Sequence, residues 1–163
     1  MNTRRAANII FALIGLGFAL TQTGCDAGLR HTASYNYLLL ELNSSRSQVK
    51  VGERVQVRFT IRNTGQQSTM VESTDTPVMD IVVSSVGSGN VFLAWSVQNP
   101  DKVAHYLEWR PGESKTIEIV WTPRQEDIAI GVFHNVPLAG ILNGDSKIVQ
   151  SASVDVCASN VCR

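Results

Sequence analysis

Between residues 54 and 62 the chain alternates with a period of two. Val55, Val57, Phe59 and Ile61 take one side, and Arg54, Gln56, Arg58, Thr60 and Arg62 take the other. That alternation marks a strand with one face in a core and one in water. Ile117, Ile119 and Trp121 alternate in the same way with Thr116, Glu118 and Val120, and Thr122-Pro123 closes the run. Tyr35 to Leu42 reads as an earlier, more apolar strand. Further strands are predicted at Val78 to Ser84, Val91 to Val97, Ile128 to Val136 and Ile148 to Val156. Turn signals fall between them: Gly52-Glu53, Asn63-Thr64-Gly65 and Pro111-Gly112-Glu113, where proline sets φ and glycine permits a positive value. Pro137 to Ser146 is apolar for a connection and is either a sticky loop or a strand running into a hairpin at Asn143-Gly144, the hairpin being favoured. No stretch carries apolar residues at helical spacing over three turns. Seven to eight short strands at this spacing predict an all-β fold, an antiparallel Ig-like β-sandwich.

The first residues follow a different pattern. Arg4 and Arg5 precede an apolar run from Ile9 to Leu20, which ends in Thr21-Gln22-Thr23-Gly24-Cys25. A basic start, a short hydrophobic stretch and a small-residue exit make up a secretory signal. The run is shorter than the roughly 20 residues of a spanning helix, although an uncleaved anchor is the competing reading. The division expected is therefore a signal at 1–24, a tether at 25–34 and one domain at 35–163.

Composition removes several classes of function. Lys plus Arg and Asp plus Glu are both 14, so no basic surplus points to nucleic acid. No metal-ligand spacing, Gly-x-Ser-x-Gly elbow or phosphate loop is present, and His31, His105 and His134 stand apart. No catalytic residue, metal site or cofactor is expected. Glu72, Asp75 and Asp80 fall in one region, where surface solvation or turn capping is the plainer reading. Cys157 and Cys162 lie near the C-terminus, and outside the cytosol such a pair can persist as a disulfide. Its loop is short, so the stabilisation would be about 2 kcal/mol or less. Two free thiols are the alternative. With no nearby histidine the pair cannot complete a tetrahedral zinc site.

The three tryptophans sit in or beside predicted strands. Trp95 and Trp121 are expected in the core, because aromatic side chains bury large areas. Trp109, between Glu108 and Arg110, is expected to be partly exposed and is the first candidate for a partner contact. Leu138 and Ile141, in the apolar segment after Pro137, are the other candidates. Gln66 to Thr76 and Pro137 to Ser146 are the expected contact loops.

Two resemblances add to this reading. Gly24-Cys25 at the end of the apolar run resembles the lipobox of bacterial lipoproteins, with Gln22 where an aliphatic residue is usual. The resemblance implies lipidation of Cys25, with cleavage just before it; cleavage by ordinary signal peptidase is the alternative. Asp26 resembles the residue that retains some lipoproteins at the inner membrane. Within the domain, Asp80, Trp95-Ser96, Pro111-Gly112-Glu113 and Trp121 occur in an order similar to the intracellular proteinase inhibitor (BsuPI-like) family. Met79, Leu93 and Trp109 stand where that family has tyrosine, tryptophan and leucine. This resemblance covers about Val49 to Trp121 and implies an Ig-like sandwich, with proteinase inhibition as one possible activity. The expectation is a non-catalytic binding module at the cell envelope, held to the membrane by lipid on Cys25. Its partner would be an envelope protein, a glycan or a protease.

Overall fold

The alternating run at 54–62 becomes a central strand in a computed structural model, which describes residues 28–84, 90–124 and 135–145 and the backbone of 149–158. In chain order the elements are β1 (Arg30–Tyr35), β2 (Leu38–Ser44), β3 (Gln48–Val49), β4 (Val55–Asn63), β5 (Thr69–Glu72), β6 (Met79–Ser84) and β7 (Val91–Ala94). A short helix α1 (Trp95–Gln98) and a 3-10 turn (Pro100–Lys102) follow, then β8 (Tyr106–Trp109), β9 (Ser114–Trp121), β10 (Asn135–Asn143) and β11 (Val149–Ala158).

β2 and β9 pair antiparallel with β4 on its two edges, and the register sets apolar against apolar. Leu42 and Ile117 both face Phe59, Leu40 faces Ile61, and Val57 faces Ile119. With β1 outside β2, the order of this sheet is β1-β2-β4-β9. The second sheet has the order β3-β11-β10-β6-β7, antiparallel except where β11 runs parallel to β3. A separate ribbon pairs β5 with β8.

The two sheets bury their inward faces against each other. Leu38, Leu40, Leu42, Val55, Val57, Phe59 and Ile61 come from the first, and Ile81, Val83, Val136, Leu138 and Leu142 from the second. Gly140 interrupts the inward row of β10 for a steric reason: a Cβ there would lie 2.2 Å from Cδ2 of Phe59. The sheets approach closely at that point, and only hydrogen fits opposite the ring.

The antiparallel Ig-like sandwich stands as expected, with more strands than expected because four short ones escape the alternation test. β3, β5 and β8 have at most four residues, and β1 is mostly exposed and polar. Arg30 to Ser34, assigned to a tether, are therefore strand paired to β2. Tyr35 to Leu42 is not one strand, because Asn36 adopts φ 51° and turns the chain between β1 and β2. The strand expected at Val91 to Val97 stops at Ala94 and gives way to α1. β10 continues to Asn143 and pairs antiparallel with β11, so the hairpin reading holds for the described part of the segment, 137–145. Residues 1–27, including Cys25, and the strand start predicted at 128–134 lie outside the described residues. Among the described residues, no helix is long and apolar enough to cross a membrane.

Candidate functional site

The end of the sandwich where β1 turns into β2 is organised around Asn63, the last residue of β4, which is fully buried. Its Nδ2 donates to the carbonyls of Gln67 at 2.7 Å and Trp109 at 2.9 Å, and its Oδ1 accepts from the Gly65 N–H at 2.8 Å. Its backbone N–H donates to the Glu113 carbonyl, and its carbonyl accepts from Gly112, each at 3.0 Å. The Asn63 side chain thus ties the 64–68 loop to the end of β8, its backbone ties in the Pro-Gly-Glu turn, and every polar group of Asn63 itself is satisfied. The turn itself places Pro111 second and Gly112 third with φ 76°, as a type II turn requires. Glu113 then closes it, its carboxylate accepting from the Arg110 N–H at 2.8 Å and from Lys115 Nζ at 2.7 Å. The Lys115 ammonium and the Arg110 N–H hold the Glu113 carboxyl below its ordinary value.

Beside this hub lies a trough of about 780 Å³, lined chiefly by Asn36, Tyr37, Gln66, Gln67, Thr69 and Met70. It shares Asn36, Thr69 and Met70 with a second hollow of about 290 Å³ that extends to Glu72 and to Asp145. Tyr37 is 67% exposed and Met70 65%, and Tyr106 beside Met70 is 53% exposed, its hydroxyl 3.0 Å from the Met70 sulfur. Tyr37 is nevertheless anchored. Its carbonyl accepts from both the N–H and the hydroxyl of Thr64, each at 2.8 Å. Gly65 packs against the base of the ring, so closely that a Cβ there would lie 2.8 Å from Tyr37 Cβ.

The far wall is braced as well. Asp145 donates its N–H to the Glu72 carbonyl at 2.8 Å, and its carboxylate accepts from the N–H and hydroxyl of Thr74. The Nδ1–H of His105 donates to the Ser73 carbonyl at 3.0 Å, and Ser73 N–H donates to the His105 carbonyl at 2.9 Å.

The expected contact residues divide. Trp109 is fully buried, which corrects the expectation of exposure: side chains alternate along β8, and Trp109 shares with Leu107 the row packed on the core, opposite exposed Tyr106. Leu138 is also fully buried, on the inward row of β10, and belongs to the core. Ile141, on the outward row, stays half-buried. Trp95 and Trp121 are core residues as expected. The backbone of Cys157 pairs with Asn135 and Gln48, but its side chain and Cys162 lie outside the described residues. Of the two expected contact loops, Gln66 to Thr76 supplies much of the trough. Tyr37 and Asn36 were missed; the available signal was an asparagine between two tyrosines, a residue type that tolerates positive φ at a turn.

The carboxylates once grouped in sequence part company. Asp80 is buried on the outer face of its sheet, where it accepts from the Ser96 hydroxyl at 2.6 Å, the Ser96 N–H at 3.0 Å and the Ile81 N–H at 2.8 Å. Glu72 and Asp75 are exposed. On the outside of the first sheet, Arg58 and Gln56 bond Glu118 and hold its carboxyl below the ordinary value. Among the described residues, no three His, Cys, Asp or Glu side chains gather as a metal site would require.

The chain matches no family model and no curated protein. Among solved structures, the sporulation control protein Spo0M of Bacillus subtilis is similar to it, with TM-score 0.52 and 12% identity over 77% of this chain and 50% of Spo0M. This chain thus spans about half the length of that protein. The CARDB domain of PF1109 from Pyrococcus furiosus shows 16% identity over 78% of this chain and 98% of the domain, with TM-score 0.46. At such identity the likeness to Spo0M is one of fold alone, the Ig-like β-sandwich.

Proposed function

We propose that this chain is a non-catalytic Ig-like interaction module, held at the cell envelope by lipid on Cys25, that engages its partner through the trough beside Asn63. The observation that carries this reading is the exposure of Tyr37, Met70 and Tyr106 at an end where Asn63 and Thr64 hold the backbone carbonyls of Gln67 and Tyr37. Tyrosine and methionine offer large contact area, and a rigid mount lowers the ordering cost of binding. The ionisable side chains argue against chemistry. Glu113 and Glu118 are held ionised by ion pairs, Asp80 is spent on Ser96, and His105 braces a loop.

The test is capture from native envelope with the full chain, comparing the native sequence with a Tyr37→Ala/Met70→Ala variant. A partner held by the native chain and lost by the variant is expected. The same captured set from both, or no specific partner, would overturn the trough as contact surface. Turnover of ester, peptide or glycoside substrates would overturn the non-catalytic reading.

A second reading, proteinase inhibition, draws on one specific feature. Asn63 bonds the Gln67 carbonyl from behind and so stiffens the exposed 66–70 segment, as an inhibitory loop requires. Titration against a panel of serine, cysteine and metalloproteases decides it: stoichiometric inhibition abolished by a Gln66→Pro/Gln67→Pro variant supports this reading, and unchanged protease activity removes it.

A further inference from the structure

The trough's chemistry narrows the partner further than the exposure of its aromatic residues does. All nine residues lining its larger part are uncharged, and neither part is lined by lysine or arginine. A phosphate-bearing or otherwise polyanionic polymer would find no counter-charge there, and Glu72 and Asp145 at the far end would repel it. An apolar helix would leave the exposed amides of Asn36, Gln66 and Gln67 facing hydrocarbon. Those amides each offer two donors and an acceptor, the pattern that vicinal hydroxyls of a sugar ring meet. Tyr37 supplies a flat aromatic face for the sugar's C–H side, with its main chain held by Thr64 and the base of its side chain packed on Gly65. The larger trough lies within the range of about 300–1,000 Å³ typical of small-ligand clefts. Its continuation through Asn36, Thr69 and Met70 into the second hollow gives it an elongated form suited to several linked sugars.

We infer that the trough is a binding site for a neutral oligosaccharide, with Tyr37 as the stacking platform and Asn36, Gln66 and Gln67 as hydrogen-bonding groups. The inference rests on the interaction-module reading and gives the partner its chemical class.

The test is calorimetric titration of the full chain with hexasaccharides of β-1,4-linked glucose, N-acetylglucosamine, mannose and xylose and of α-1,4-linked glucose. An oligogalacturonate hexamer serves as the anionic comparator. At least one neutral hexamer is expected to bind, Tyr37→Ala to weaken it about tenfold or more, and Tyr37→Trp to preserve it. Gln66→Ala/Gln67→Ala is expected to weaken it without shifting the melting temperature, because the bond to Asn63 uses the main-chain carbonyl. No binding by any neutral hexamer, binding indifferent to Tyr37, or equal binding of the anionic hexamer would overturn the inference. A captured envelope protein lost in the Tyr37→Ala/Met70→Ala variant, with no saccharide bound, would leave the interaction module standing and remove only the sugar.

Discussion

Two residues show how narrowly single side chains decide this fold. At Gly140 any β-carbon collides with Phe59, whose ring is walled in by Leu42, Ile117 and their neighbours and has nowhere to go. Gly140→Ala is therefore expected to destabilise by about 1–3 kcal/mol, the usual cost of overpacking, read as a drop in urea midpoint. Gly52→Ala is the contrast: nothing lies within 4 Å, and its φ of 85° is the only obstacle. Its cost is expected to be about 1 kcal/mol. A loss at Gly140 no larger than about 0.5 kcal/mol would show that close sheet approach is not what requires glycine there. Asn63→Ala leaves the Trp109 and Gln67 carbonyls and the Gly65 N–H without their partner. An expected loss of about 2–3 kcal/mol follows, because unmet buried polar groups cost more than the bond itself contributes. The sequence showed Asn63 as a turn former but not as a hub, since its side-chain partners lie up to 46 residues away. Trp109 was misread for a related reason. Charged neighbours at 108 and 110 suggest an exposed ring, yet in a strand adjacent residues point to opposite faces, so the polar, half-buried Glu108 shares the outward side with exposed Tyr106 and leaves Trp109 to the core.

At the scale of elements, the Pro-Gly-Glu turn is a small electrostatic clasp. The Glu113 carboxyl, held low by Lys115 and the Arg110 N–H, contributes stability that is fully present above its unfolded value of about 4.5. That contribution is lost as pH falls through the lower folded value. Thermal melts between pH 7 and 3 are expected to show a shallower acid limb in Glu113→Gln than in the native chain, with the difference shrinking in high salt. Parallel acid limbs would mean that the clasp contributes nothing measurable. Elements with strict alternation, β4 and β9, were legible because one face is apolar and the other polar. β10 was ambiguous because Ala139 and Ile141, on its outward row, are themselves apolar. The turn into α1 was hidden because Trp95 and Val97 continue an apolar run. What ends the strand is the Asp80 carboxylate collecting the N–H and hydroxyl of Ser96, a contact across 16 residues that no local pattern announces.

For the whole molecule, the sandwich was legible from strand spacing and turn chemistry, whereas the trough was not. It is assembled from the β1–β2 turn, the loop after β4 together with β5, and the end of β10 with Gly144 and Asp145, segments distant in sequence that only the folded chain brings together. The anchor proposed at Cys25 has a direct test. Growth with an alkyne-bearing palmitate is expected to label the native chain and leave Cys25→Ser unlabelled and released from the membrane fraction. Retention of Cys25→Ser with the membranes would mean that something other than lipid holds it.

The direction of β1 gives that anchor a geometric meaning. β1 begins at Arg30, opposite Asn43, and runs six residues to Tyr35 at the edge of the trough. At about 3.3 Å per residue, its five steps carry the chain roughly 17 Å along the sandwich toward the trough end. A tether attached ahead of Arg30 would thus grip the pole opposite the opening, so that Tyr37 and Met70 look outward from the supporting surface. The domain would then act as a spacer with its contact at the tip, reaching for molecules across the gap rather than for neighbours lying flush in the same membrane.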